Sequence, residues 1–140
     1  MTRGVHRIGS ENAEPSFAPA GGPPARHVDP RVRLALDLIE REFDRRLRQQ
    51  DVAATLGLSV SRFRHLFSRD VGHSFRNYLR RVRLRHAARL LRDVRVSVKQ
   101  VALSSGYGNP GNFTRAFTKL YGSPPKEFRR RLDPKDSRFG

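Results

Sequence analysis

The sequence of 140 residues contains no cysteine. This absence excludes disulfide bonds, thiolate metal sites and cysteine nucleophiles. The sequence also has no run that approaches the roughly 18 apolar residues of a membrane-spanning helix. Its first residues, MTRGVHRIGS, lack the apolar centre of a signal peptide. We therefore expect a soluble, cytoplasmic protein that has no membrane partner.

Signals of catalysis are equally sparse. The five histidines are scattered, without the i,i+4 spacing of a helical metal-binding pair. No clear strand is present, and no glycine-rich phosphate loop follows one. We therefore predict that the protein is not an enzyme, and we expect neither a metal ion nor a cofactor.

Acidic residues are few, since 13 Asp and Glu stand against 29 Lys and Arg and leave a formal net charge of +16. Residues 1–28 hold three arginines and two glutamates, so a net charge of +15 remains for residues 29–140. Such a charge density repels itself and favours a polyanionic partner. Arginine predominates over lysine, which suits bidentate contacts with phosphate and guanine. Charge alone does not distinguish DNA from RNA or anionic lipid.

The chain divides into an arm, a helical region and a tail. Residues 1–28 are rich in proline, glycine and alanine and lack periodicity, which predicts a disordered arm or linker. Asp29 and Pro30 predict the N-cap and the first residue of a helix. The inner face of that helix is predicted to carry Val32, Leu36, Ile39 and Phe43. Helical patterns continue to about residue 133, and residues 134–140 form a short tail.

A helix-turn-helix is predicted at about residues 50–72. Asp51 is expected to cap a short helix, and Gly57 permits the left-handed conformation that ends it. Ser59 or Ser61 then caps a second helix. The buried residues of that second helix are predicted to be Phe63, Leu66 and Phe67. Two short helices joined by a tight, glycine-containing turn form this motif.

Residues 74–92 contain neither glycine nor proline and predict one long connecting helix. At 1.5 Å per residue this connector spans roughly 28–30 Å. Arg83 lies within its apolar stripe, so we expect a structural role for Arg83 rather than a DNA contact. The stripe consists of Tyr78, Leu79, Leu84, Ala87, Ala88, Leu90 and Leu91.

The first motif recurs at about residues 97–121. Gly106 follows Gly57 by 49 places, whereas Phe113 follows Phe63 by 50 places, so one residue is inserted near the turn. The sequence thus predicts an all-α protein in which two helix-turn-helix subdomains are joined by a long helix.

The second helix of this copy begins at the segment NPGN. Asn109 is a good N-cap, and Pro110 is tolerated at the next position because that amide has no helical partner. Gly111 still belongs to the first turn. The inner residues of this helix are predicted to be Phe113, Ala116 and Phe117.

The second helix of each motif, called a reader or reading helix here, is the element that contacts DNA bases. Two readers on one connecting helix suggest how the protein binds DNA. The second helix of a helix-turn-helix lies in the major groove, and successive grooves on one side of the duplex are about 34 Å apart. A connector of roughly 28–30 Å has the scale to hold two readers one turn apart. Because the readers differ, we predict that a monomer reads an asymmetric site in double-stranded DNA through two adjacent major grooves.

The exposed residues of the two reading helices are the predicted DNA contacts. Arg64 and Arg115 suit guanine, Asn112 suits adenine, and His65 suits a base or a phosphate equally. The predicted base readers are Ser61, Arg62, Arg64, His65, Pro110, Gly111, Asn112, Thr114 and Arg115. The predicted phosphate contacts are Ser59, Arg69, Arg76, Asn109 and Lys119.

These motifs resemble the DNA-binding domain of the AraC/XylS family of bacterial transcription regulators. The resemblance covers about residues 31–131, in the stretches VAATLGLSVSRFRHLFSRDVGHSFRNYLRRVRLRHAARLL and VKQVALSSGYGNPGNFTRAFTKLYGSPPKEFRR. The second half is the more specific. Its matching positions are Ala102, Gly106, Tyr107, Phe113, Phe117, Gly122, Pro124, Phe128 and Arg129.

The resemblance implies a seven-helix, all-α domain with sequence-specific DNA binding. It also implies transcription control at the bacterial nucleoid, often activation through contact with RNA polymerase. Pro110 and Gly111 replace longer, often polar side chains of the family, so the second reader is expected to recognise fewer bases. Phe128 stands where tyrosine is usual. The residues before the DNA-binding region cannot form an effector domain, so the chain resembles stand-alone members, and no small-molecule ligand is expected.

A non-specific nucleic-acid-binding or architectural protein is the alternative. Such a protein would keep the positive charge but would not need two shaped reading faces. A preference for a chosen duplex over random DNA separates the two hypotheses.

Overall fold

The computed structural model describes residues 27–132. This part of the chain contains seven helices and no strand. In chain order they are α1 (Pro30–Glu42), α2 (Gln49–Thr55), α3 (Val60–Val71), α4 (Phe75–Leu90), α5 (Val98–Ser104), α6 (Pro110–Tyr121) and α7 (Pro125–Leu132). The predicted all-α fold, with two helix-turn-helix subdomains on one connecting helix, is confirmed. The predicted arm up to residue 26 and the predicted tail lie outside the described residues.

Helix α1 begins as the sequence predicts. The side chain of Asp29 accepts a hydrogen bond from the amide of Arg31 at 2.8 Å, and Pro30 is the first helical residue. The amide of Asp29 also donates to Oδ2 of Asp70 at 2.8 Å, which ties the start of α1 to α3. The buried residues of α1 are Val32, Ala35 and Ile39, whereas the predicted Leu36 and Phe43 are only partly buried.

The expected cap of α2 is wrong. Asp51 lies in the first turn of α2, and Arg48 occupies the N-cap position without a side-chain hydrogen bond. The helix starts earlier because the amides of Asp51 and Val52 both donate to the carbonyl of Arg48, at 3.0 and 3.1 Å. Backbone bonds alone therefore begin this helix. The sequence pattern gave no sign of this, because the apolar residues start only at Val52.

The two motifs repeat each other in three dimensions. Helices α2 and α5 have seven residues each, and α3 and α6 have twelve each. Each turn is closed by the same backbone bond, from Leu58 to Ala53 in the first copy and from Tyr107 to Ala102 in the second, at 2.9 Å in both. Since Ser59 and Asn109 are the next matched pair, the inserted residue is Gly108, which is exposed.

Aromatic pairs pack in the same way in both copies. The rings of Phe63 and Phe67 lie 5.6 Å apart at 47°, and those of Phe113 and Phe117 lie 5.7 Å apart at 49°. All four side chains are fully buried. Truncation of a fully buried phenylalanine to alanine costs about 3–5 kcal/mol of stability. Each reading helix is therefore held by its own aromatic core.

The connecting helix α4 contributes to both cores. Its first half packs into the first core and its second half into the second. The first set is Phe75, Tyr78, Leu79 and Val82, and the second is Leu84, Ala87, Ala88 and Leu91. The helix has 16 residues and is roughly 24 Å long. The predicted length was too great because Ser74 and Leu91 are the caps of this helix.

Arg83 joins the two subdomains. Its Nε donates to the carbonyl of Phe43 at 2.7 Å, and its Nη2 donates to the carbonyl of Arg45 at 2.9 Å. Phe43 is the C-cap of α1, where a helix leaves its carbonyls without helical partners, and Arg45 follows in the loop. The turn of the second motif packs against the same point, because a Cβ on Gly106 would lie 2.9 Å from both Arg83 Nε and Phe43 O. The expected structural role of Arg83 agrees with these contacts.

We predict that Gly106→Ala destabilises the protein more than Gly122→Ala does. Both glycines have a left-handed backbone, with φ of +91° and +85°, which costs a side chain roughly 1–2 kcal/mol. Only at Gly106 does the new Cβ also meet a backbone carbonyl, whereas nothing lies within 4 Å at Gly122. We expect Gly106→Ala to lower the free energy of unfolding by about 2–5 kcal/mol. Urea unfolding of both variants measures this, and equal losses would contradict the close packing at Gly106.

Candidate nucleic-acid interface

The exposed side of α3 carries a row of polar side chains. They line one open surface depression of about 480 Å³ and comprise Ser61, Arg64, His65, Ser68 and Arg69. Spacings of three and four residues place them on one face of the helix. Phe63, Leu66 and Phe67 are fully buried on the opposite side, so the core determines which face is presented.

The predicted base readers of α3 do not all lie together. Ser61, Arg64 and His65 share the depression, whereas Arg62 is exposed but does not line it. Adjacent helical residues point about 100° apart, which accounts for the separation. Arg64 and His65 make no hydrogen bond or ion pair with other described residues, so their polar atoms are available to a ligand.

Arg69, a predicted phosphate contact, is engaged within the protein. Its Nε donates to Oδ1 of Asp70 at 2.8 Å. Burial favours the neutral form of Asp70, but the hydrogen bonds from Arg69 and from the amide of Asp29 outweigh it and hold the pKa of Asp70 below its ordinary value. Asp70 is therefore charged near neutral pH and partly neutralises Arg69 at the edge of the reading face.

Helix α6 presents a different face. The side chain of Asn109 caps it by accepting a hydrogen bond from the amide of Asn112 at 3.0 Å. The side chain of Asn112 in turn accepts a hydrogen bond from Nη2 of Arg115, so these two predicted readers form a pair. Pro110 and Gly111 are exposed in the first turn, as the sequence predicts. Thr114 is only partly exposed, which differs from the expectation.

A cleft of about 480 Å³ lies between α4 and α6. Asn112, Arg115 and the predicted phosphate contact Lys119 line it from α6. The connector contributes Asn77, Arg80 and Arg81, which the sequence interpretation did not single out. No sequence signal identifies them, because arginines occur throughout the chain and only the packing of α4 beside α6 brings these together.

The remaining predicted phosphate contacts lie at helix starts. Ser59 and Asn109 are exposed N-caps of α3 and α6, where unpaired amides favour an anion. Arg76 lies in the first turn of α4 and shares a further cleft with Arg64.

Within residues 27–132, no three His, Asp or Glu side chains are close enough to hold a metal ion together. No helix in this range is both long and apolar enough to cross a bilayer.

Comparison with known proteins places this surface in context. A family model described as "Helix-turn-helix domain" matches residues 52–131. The HTH-type transcriptional regulator GlxA of Rhizobium meliloti is 33% identical over 122 residues, which cover 85% of this chain and 37% of that protein. The HTH-type transcriptional activator RhaS of Klebsiella pneumoniae is 29% identical over 109 residues, which cover 78% of this chain and 39% of that protein. The chain thus spans little more than a third of the length of these relatives.

Solved structures share the fold. The C-terminal domain of AraT, a response regulator from Geobacillus stearothermophilus, has a TM-score of 0.72 at 29% identity, over 75% of this chain and 88% of that one. A transcriptional regulator with an AraC-type DNA-binding domain, from Chromobacterium violaceum, has a TM-score of 0.69 at 25% identity, over 75% of this chain and 94% of that one.

Fold and surface together define a DNA-binding protein with two helix-turn-helix motifs. Each motif presents a polar, largely cationic helix face that its aromatic core holds outward. The chain belongs to the AraC family of transcription regulators.

We predict that Asn109→Asp separates the capping role of Asn109 from its role at DNA. Aspartate caps a helix about as well as asparagine, so the free energy of unfolding should change by less than about 0.5 kcal/mol. Its negative charge, however, would face the phosphates, and we expect DNA affinity to fall at least about tenfold, the equivalent of 1.4 kcal/mol. Asn109→Ser, which keeps a neutral cap, is the control. Fluorescence anisotropy with labelled duplex measures the effect, and unchanged affinity of the aspartate variant would place Asn109 away from DNA.

Proposed function

We propose that the protein is a sequence-specific regulator of transcription that binds double-stranded DNA through two successive major grooves. The observation that carries this proposal is the geometric repeat of α3 and α6. Both have twelve residues, a side-chain N-cap, a matching aromatic pair and an exposed polar face. A second helix of this kind is the groove-reading element of a helix-turn-helix.

A monomer would read an asymmetric site. The first reader offers Arg64 and His65, whose side chains have no partner in the described part of the chain, whereas the second offers the linked pair Asn112 and Arg115. These donor patterns differ, so they suit different base sequences. Two unlike readers on one chain do not require the palindrome that a symmetric dimer does.

The connector favours bent DNA. Its 16 residues span roughly 24 Å, less than the about 34 Å between successive major-groove faces of straight DNA. Bending the duplex toward the protein shortens that separation, at a cost of about 1–6 kcal/mol for a short site. The additional contacts of a second reader would offset this cost.

Activation is the direction of control that we propose, since RhaS of Klebsiella pneumoniae, one of the relatives, is named a transcriptional activator. Contact with RNA polymerase at the bacterial nucleoid would accompany it. The outer face of α1 is available for such a contact at Asp37, whereas Glu40 is already bound to Arg85 at 2.8 Å. The polymerase surface would therefore centre on Asp37 rather than on Glu40.

Selection of preferred duplexes from a random pool tests specificity and site length together. We expect a non-palindromic consensus that covers two adjacent major grooves. The selected duplex should bind at least about 10³-fold more tightly than random DNA at physiological salt. A ratio near one would support a non-specific or architectural protein instead. A palindromic consensus would contradict reading by a monomer.

We predict that Arg64→Ala and Arg115→Ala each relax the preference at one position of the consensus. Loss of a bidentate arginine–guanine pair removes about 1–3 kcal/mol of discrimination. Lys119→Ala, in contrast, should weaken binding to every sequence alike, because a phosphate contact carries no base information. Repeating the selection with each variant measures these effects. An even loss of affinity in both arginine variants would refute their base-reading roles.

A further inference from the structure

An arginine-rich cleft of about 660 Å³ lies beside the first reader. It is lined by the loop between α1 and α2, the start of α2, one residue of α3, and α4 as far as Arg83. We call it the arginine cleft, because five arginines line it: Arg46, Arg48, Arg64, Arg76 and Arg83. No Asp or Glu is among the described residues that line it.

Most of these guanidinium groups have no partner among residues 27–132. Arg46, Arg48, Arg64 and Arg76 are exposed, and none of their side chains makes a hydrogen bond or ion pair with another described residue. Elsewhere in the described chain, arginines are commonly paired, as Arg85 is with Glu40. Like charges that share a cleft repel one another, so an anionic ligand stabilises this arrangement.

The loop that carries Arg46 and Arg48 is held in place. Nη2 of Arg83 donates to the carbonyl of Arg45 at 2.9 Å, directly before these residues. Leu47 packs against the first core, and Arg48 has an extended backbone with φ of −101° and ψ of 137°. Arg46 and Arg48, on either side of Leu47, are both exposed, and both line the cleft.

We infer that the arginine cleft binds phosphate groups of the DNA backbone next to the groove that α3 reads. Arg64 lines both the cleft and the reading face, so the two surfaces are continuous. The positive end of the dipole of α4, a 16-residue helix, also borders the cleft. Guanidinium groups match phosphate oxygens in fork geometry. Arg46 and Arg48 thereby become DNA contacts that the sequence did not indicate.

The salt dependence of binding to random-sequence duplex tests this inference, which rests on the DNA binding of the proposed function. Each lost phosphate contact lowers the slope of log K against log salt by about 0.9, or about 3.5-fold in affinity change between 50 and 200 mM salt. We expect this reduction for Arg46→Ala and for Arg48→Ala, and about twice as much for the double variant. Arg33→Ala, an exposed arginine of α1 outside the cleft, should leave the slope unchanged.

Further arms make the outcome decisive. Arg48→Lys keeps a point charge and should retain the slope, and circular dichroism checks that every variant is folded. An unchanged slope of log K against log salt in the folded double variant overturns the inference. A loss of affinity that is confined to the selected duplex also overturns it, because such a loss indicates base reading. Binding of inorganic pyrophosphate to the native protein but not to the double variant, together with an unchanged salt slope for DNA in that variant, would assign the cleft to a free polyanion instead. Binding to random duplex measures phosphate contacts even if the protein prefers no sequence. The phosphate cleft and the sequence-specific function can therefore be refuted independently.

Discussion

One helix serves two hydrophobic cores, and the placement of both reading helices depends on it. Buried side chains of α4 up to Val82 belong to the first core, and those from Leu84 onward belong to the second. Only Arg83 lies between them, and it holds the end of α1 through the carbonyl of Phe43 at 2.7 Å. Because interiors are close-packed, neither core can turn about α4 without breaking its own contacts. The arrangement of the two readers is therefore a property of packing rather than of a flexible linker.

Arginine has two roles in this protein, and the tertiary structure separates them. Nε of Arg129 donates to the carbonyl of Leu91 at 2.9 Å, much as Arg83 does to that of Phe43, so the helix before each motif ends on an arginine. These arginines satisfy carbonyls that a helix terminus leaves unpaired. Others, such as Arg46 and Arg48, have guanidinium groups without a partner among the described residues and lie beside the first reader. The net charge therefore indicates a polyanionic partner, but it does not tell how many of the arginine side chains are available to contact that partner.

The predicted repeat is present in the buried residues of the two motifs, where packing constrains the side chains. The exposed residues, which packing does not constrain, differ between the two copies. Phe63 and Phe113 occupy equivalent positions, since both are fully buried and each ring packs on the phenylalanine four residues later with nearly the same geometry. The outer faces are free to diverge. One copy offers Arg64, which is unpaired as far as residues 27–132 show, and the other offers a linked Asn112–Arg115 pair. This divergence within a common frame is what allows one chain to read an asymmetric site in the proposed function.

From sequence alone, periodicity and helix-capping chemistry determined the all-α class, the duplication and the starts of α1 and α6, because these depend on neighbouring residues. The start of α2 was missed, since Arg48 begins it through backbone bonds that leave no side-chain signal. Only the tertiary structure decided which arginines are structural and which share a cleft with the readers. Those outcomes depend on residues about 40 positions apart, such as Arg83 and Phe43, and no local pattern specifies such contacts.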